Sequence, residues 1–76
     1  MFYMNKEHKM VHMVEGFNAK FLVDKLVDEQ YTEVELCNIG WTDANKVCNE
    51  LKAKQVAHIA ERKNGIRCMN LCIQFN

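Results

Sequence analysis

Seventy-six residues leave room for one small domain, 1–76, and exclude a large multi-domain enzyme. Hydrophobic residues make up 49% of the chain and charged ones 26%, a globular composition rather than a disordered one. Ten Lys+Arg balance ten Asp+Glu, so no overall field announces a nucleic-acid or membrane partner.

That neutrality hides an asymmetry. Residues 1–39 hold four lysines against seven acids, and residues 40–76 hold six Lys+Arg against three acids, balances of −3 and +3. Such a split hints at a binding face in the second half, although a short chain acquires a three-charge excess by chance as well. Apolar runs are too short to span a bilayer, and Met1–Lys6 lacks the basic and apolar regions of a secretion signal. The expected compartment is therefore the cytoplasm.

Residues 1–16 are the least patterned. His8, Met10, Val11, Met13 and Val14 fit a helix beginning near Asn5, with an edge strand over 10–14 as the alternative. Phe2, Tyr3, Met4, Met10 and Met13 make this extension the expected dimerisation segment, since methionine and aromatic residues suit interfaces.

Capping signals punctuate the next stretch. Asn18 is placed to cap a helix over 19–29, with Phe17 and Leu22 as a hydrophobic staple. Thr32 and Glu35 form a capping box, flanked by Tyr31 and Leu36 as a second staple, which predicts a short helix over 33–38. After Asn38-Ile39-Gly40-Trp41, Thr42 is the expected cap of a third helix over 42–54, with Asp43 favourable at its positive end. That helix places Ala44, Val47, Cys48 and Leu51 on one face.

From residue 56 the period changes to two. Residues 56–62 and 67–75 flank Lys63-Asn64-Gly65-Ile66, and Asn-Gly between strand-like runs predicts a hairpin with a type I′ turn. A two-residue turn would set Arg62 opposite Arg67, Ala60 opposite Met69, His58 opposite Leu71 and Val56 opposite Ile73. Met69, Leu71, Ile73 and Phe75 alternate with Cys68, Asn70, Cys72 and Gln74.

Ala44, Cys48 and Leu51, followed by the run from Gln55 to Gly65, resemble the recognition helix and wing of a winged helix-turn-helix domain. The resemblance covers roughly 17–75 and implies an α+β fold: three helices, then a two-stranded wing. The chain departs from that pattern in a segment between Thr32 and Ala44 about three residues short, and in Gln55 where a glycine commonly ends the helix. The resemblance implies a small, sequence-specific transcriptional regulator or repressor of bacterial or phage type. It would bind double-stranded DNA as a homodimer and would not be an enzyme.

In that reading the helix over 42–54 enters the major groove. Asn45 and Asn49 face outward to read base edges, and Lys46 and Lys52 anchor the backbone. Arg62, Lys63 and Arg67 on the wing contact phosphates, which would also relieve the like-charge pair of Arg62 and Arg67. The alternative is a protein-interaction module on the same fold, such as a phage-encoded inhibitor or adapter of a host complex. Asp43 and Glu50 beside the proposed DNA face favour it.

The remaining chemistry is sparse. Cys37, Cys48, Cys68 and Cys72 include no Cys-x-x-Cys pair, so they read as free thiols rather than a zinc site. His8 and His12 would share a helix face but lack a third ligand, and no metal or cofactor is expected. His58 reads as a structural residue on the core side of the wing. The chain contains no serine and no phosphate-binding glycine loop.

Overall fold

The computed structural model describes residues 2–63 and 67–75. The elements in chain order are β1 (Phe2–Asn5), β2 (Met10–Met13), α1 (Ala19–Asp28), β3 (Glu33–Cys37), α2 (Trp41–Ala53), β4 (Ala57–Arg62) and β5 (Cys68–Gln74). The strands form one mixed sheet in the order β1-β2-β3-β5-β4, with both helices on one of its faces. The fold is thus α+β with two helices and five strands among the described residues. It is not three helices with a two-stranded wing.

The first correction concerns residues 1–16. Phe2 and Met4 alternate with Tyr3 and Asn5, and Val11 and Met13 alternate with Met10 and His12, which is a strand period rather than a helical one. Asn5 Oδ1 accepts the His8 N–H at 3.1 Å, and Lys9 takes φ 54°, so the chain reverses between β1 and β2. The two strands pair antiparallel, Phe2 opposite Met13 and Asn5 opposite Met10. His8 lies in the turn and His12 on the sheet, so no helix face joins them. Nor is β2 an edge strand, because it also pairs in parallel with β3.

The second correction is β3. Thr32 and Glu35 do not form a capping box, because Glu33–Cys37 is the central strand of the sheet. Five residues cannot repay the nucleation cost of a helix on their own. As a strand they direct Val34 and Leu36 into the core and Glu33 and Glu35 outward, and both neighbours supply ladder bonds. The parallel β2–β3 pair requires a crossover, and α1 provides it.

Helix α1 begins as its cap predicts: Asn18 Oδ1 accepts the Phe21 N–H at 3.1 Å. Helix α2 begins one residue earlier than expected, with Gly40 and not Thr42 at the cap. Both helices end alike. Tyr31 N–H donates to Leu26 O and Val56 N–H to Leu51 O, with Gln30 and Gln55 in left-handed conformation at φ 53° and 59°. These are Schellman ends in which glutamine occupies the position glycine usually takes.

The core lies between the helices and one sheet face. Val11, Met13, Val34, Leu36, Met69, Leu71 and Ile73 from the strands meet Leu22, Val23 and Leu26 of α1 and Ala44, Val47 and Leu51 of α2. Phe2 and Met4 pack against this core and Met13 is buried within it, so only Tyr3 and Met10 of the expected dimerisation residues point away. No helix among the described residues is long and apolar enough to cross a membrane.

Strands β4 and β5 pair antiparallel, but two residues out of the expected register: Arg62 faces Met69, Ala60 faces Leu71 and His58 faces Ile73. Lys63 N–H donates to Cys68 O, which leaves positions 64–67 between the strands instead of two. The like-charge pair of Arg62 and Arg67 therefore does not occur in the ladder. The predicted Asn64-Gly65 turn itself lies outside the described residues.

Candidate functional site

Helix α2 presents one continuous polar face. With Ala44, Val47 and Leu51 buried, Trp41, Thr42, Asn45, Lys46, Asn49 and Lys52 are exposed together along its outer side. Asp43 and Glu50 are half-buried at its flank, so no carboxylate interrupts the face. All four helical residues expected to contact DNA lie on it. Lys54, one position past the helix, is drawn to α1 by an ion pair of 2.7 Å with Asp24.

The three wing cations separate. The Arg62 side chain projects from the helix-covered side of the sheet toward the start of α2. Its guanidinium carbon lies 4.3 Å from the centre of the Trp41 ring, and Nη1 donates to the Ile39 carbonyl at 3.0 Å. Its Nε is buried without a hydrogen-bond partner among the described residues. Arg62 is therefore a structural brace that holds Trp41, not a free phosphate ligand.

Lys63 points to the opposite, uncovered side of the sheet, where Nζ donates to Glu35 Oε2 at 2.7 Å. That hydrogen bond, and the charge behind it, raises the Lys63 ammonium above its ordinary range. Arg67 is exposed and close to Gly40, where a β-carbon would stand 3.2 Å from Nη2. Of the wing cations, Arg67 alone adjoins the α2 face as a solvent-facing charge.

The sequence pattern does not mark Trp41 as part of this face. It is 67% exposed, although a tryptophan is usually highly buried. A lone tryptophan directly after a glycine, at the start of an otherwise polar helix face, was the available signal. Its brace comes from 21 positions downstream, and only the sheet shows that.

The uncovered sheet face carries the other chemistry. Tyr3, His12, Cys37 and Cys68 stand side by side across four strands, with Glu33, Glu35, Glu61, Asn70, Cys72 and the exposed Ile59 around them. Among the described residues no three His, Cys, Asp or Glu side chains are grouped to hold a metal ion. His58, on the covered side, donates from Nδ1 to Val56 O at 3.1 Å.

No protein-family model, curated protein or solved structure matches this chain.

Proposed function

We propose that the chain is a sequence-specific DNA-binding protein, a small transcriptional regulator, that reads duplex DNA with the outer face of α2. The observation that supports this most is the acid-free row of Trp41, Asn45, Asn49 and Lys52, flanked by Lys46 and Arg67. Asn45 and Asn49 stand one turn apart, and asparagine bonds the adenine edge at two points. Lys46, Lys52 and Arg67 supply the phosphate contacts that set register and salt dependence. Trp41, held by Arg62, is a rigid aromatic surface at the end of the helix that would stand closest to the bases. Lys63 and Arg62 leave the contact set, the first because Glu35 holds it and the second because it braces Trp41.

A single module of this size buries modest surface, so the proposal includes two copies on two half-sites. A mobility shift with duplex DNA at low and high salt tests the reading. Binding at low salt that weakens steeply with added salt supports it, whereas no binding at low salt refutes it.

The second reading is an interaction module for another protein. The exposed Trp41, held in place by half-buried Arg62, favours it, because tryptophan is enriched at the energetic centres of protein interfaces. Nuclease-resistant capture of one stoichiometric protein, lost on Trp41→Ala, supports that reading over the first.

A further inference from the structure

Strands β3 and β5 pair with Glu33 opposite Cys72, Glu35 opposite Asn70 and Cys37 opposite Cys68. Ile73 N–H donates to Thr32 O, so Thr32 and Ile73 form a hydrogen-bonded pair of the ladder. Alternation from that pair places Cys37 and Cys68 at a non-hydrogen-bonded position, where facing Cα atoms stand about 4.5 Å apart and the side chains approach most closely. Disulfides span Cα separations of about 4.4–6.8 Å. Both side chains emerge on the same, uncovered face of the sheet. Beyond them the ladder slips: Asn38 takes φ 58° and Ile39, not Asn38, donates to Arg67 O. This bulge ends the regular ladder immediately after the cysteine pair.

We propose that Cys37 and Cys68 are a reactive dithiol that low-molecular-weight disulfides oxidise reversibly to a cross-strand disulfide. Cys68 is half-buried and Cys37 is 7% exposed, so Cys68 is the thiol that a small molecule reaches first. After losing its proton to water, the Cys68 sulfur attacks one sulfur of the small disulfide and releases the other as a thiolate. Cys37 then loses its proton and attacks the Cys68 sulfur of the mixed disulfide, expelling the second small thiolate. The reagent's S–S bond is reduced to two thiols, and one protein S–S bond replaces two S–H bonds. Burial and the hydrogen bond with Cys68 push the Cys37 thiol up to about 11, so it is a poor nucleophile toward free reagent and reacts only in the second, intramolecular step, where its partner sulfur is already in contact. Lys63 lowers that value in part, so a cation lies within reach of the sulfur as it ionises.

The bond would close residues 38–67, which include α2 and β4, into a covalent loop. The candidate binding helix would then be tied to the central strands on both sides. Cys72 is four residues from Cys68, about 13 Å along the strand, and faces Glu33, so it has no cross-strand thiol partner. Cys48 lies on α2.

Incubating the folded chain with graded ratios of oxidised to reduced glutathione, then alkylating and measuring intact mass, tests the proposal. The expected product carries two alkyl groups fewer than the fully reduced, alkylated chain, and trypsin should release fragments 26–46 and 68–76 linked together. The link should persist in Cys72→Ser and vanish in Cys68→Ser, whereas Cys37→Ser should retain one glutathione on Cys68. Circular dichroism confirms that Cys68→Ser is folded, and Cys68→Ala replaces it if it is not. The oxidised chain should melt about 10–20 °C higher than the reduced one. The proposal is overturned if the link persists in Cys68→Ser. It is equally overturned if the wild type acquires only separate glutathione adducts, or stays reduced where dithiothreitol is fully oxidised.

Discussion

The Arg62 guanidinium stacks 4.3 Å over the Trp41 ring while Nη1 donates to the carbonyl of Ile39. One side chain from β4 thus fixes both the entry of the chain into α2 and the aromatic ring at its first position. Arg62 is therefore tied into the fold by two contacts and is not a free surface charge.

Arg62→Ala should lower stability by about 1–3 kcal/mol, the combined loss of a partly desolvated cation–π contact and a charged hydrogen bond. A urea titration measures it. Trp41 should also become more accessible to a soluble quencher. A midpoint equal to or above that of the wild type would contradict the bracing role.

Gln30 and Gln55 hold left-handed conformations that cost a side-chain-bearing residue free energy. Gln30→Gly and Gln55→Gly should each stabilise by about 0.5–1 kcal/mol, after allowing for the greater flexibility of glycine in the unfolded chain. The comparison is again of urea midpoints. Destabilisation by both would mean that these helix ends do not close as described.

Alternation in β3 sets a sharp contrast within one short segment. Leu36 is fully buried, so Leu36→Ala should cost about 2–5 kcal/mol, whereas exposed Glu33→Ala should cost less than about 0.5 kcal/mol. Amide exchange should be slow at ladder positions of β3, as expected for a strand bonded on both sides. Fast exchange throughout 33–37 would contradict a central strand.

Lys6 Nζ lies 2.7 Å from Glu29 Oε1, and that contact lowers the Glu29 carboxyl below its ordinary value of 4.5. A depressed carboxylate contributes stability that is present above the unfolded value and is lost as pH falls through the folded one. Thermal melts of wild type and Glu29→Gln should therefore differ at neutral pH and converge as pH drops below 4.5. The difference should be small and should shrink in high salt, because the pair is at the surface. A gap that widened on acidification would have the wrong sign.

For DNA binding, Lys52→Ala and Arg67→Ala should each weaken all sequences alike and reduce the log–log salt slope by about 0.9. Asn49→Ala should cost about 1–3 kcal/mol on the preferred site and far less on random duplex. Lys63→Ala should leave binding unchanged, since Glu35 holds that ammonium on the far side of the sheet. Anisotropy titrations at several salt concentrations separate these signatures. No effect from any of the first three would refute the proposed face.

Local signals in the sequence determined what local chemistry can determine. Asn18 marks the start of α1, the spacing of Ala44, Val47 and Leu51 marks the inward face of α2, and Met69, Leu71 and Ile73 mark the inward face of β5. Each depends on neighbours within one or two turns, or on a simple period. The outward residues Asn45, Lys46, Asn49 and Lys52 follow from that spacing. Only the tertiary structure decided the rest. Residues 32–37 carry a capping-box sequence and a strand alternation at once, and the ladder bonds that choose the strand come from Lys9 and from residues 68–73. Residues 2–13 need β3 beside them before their alternation acquires a buried side. The two-residue shift of β4 on β5 keeps the same faces inward, so hydrophobic pattern cannot distinguish it from the expected register. The meeting of Arg62 with Trp41, and of Cys37 with Cys68, depends on strand order and register, because each pair is more than 20 positions apart along the chain and is joined only by the sheet.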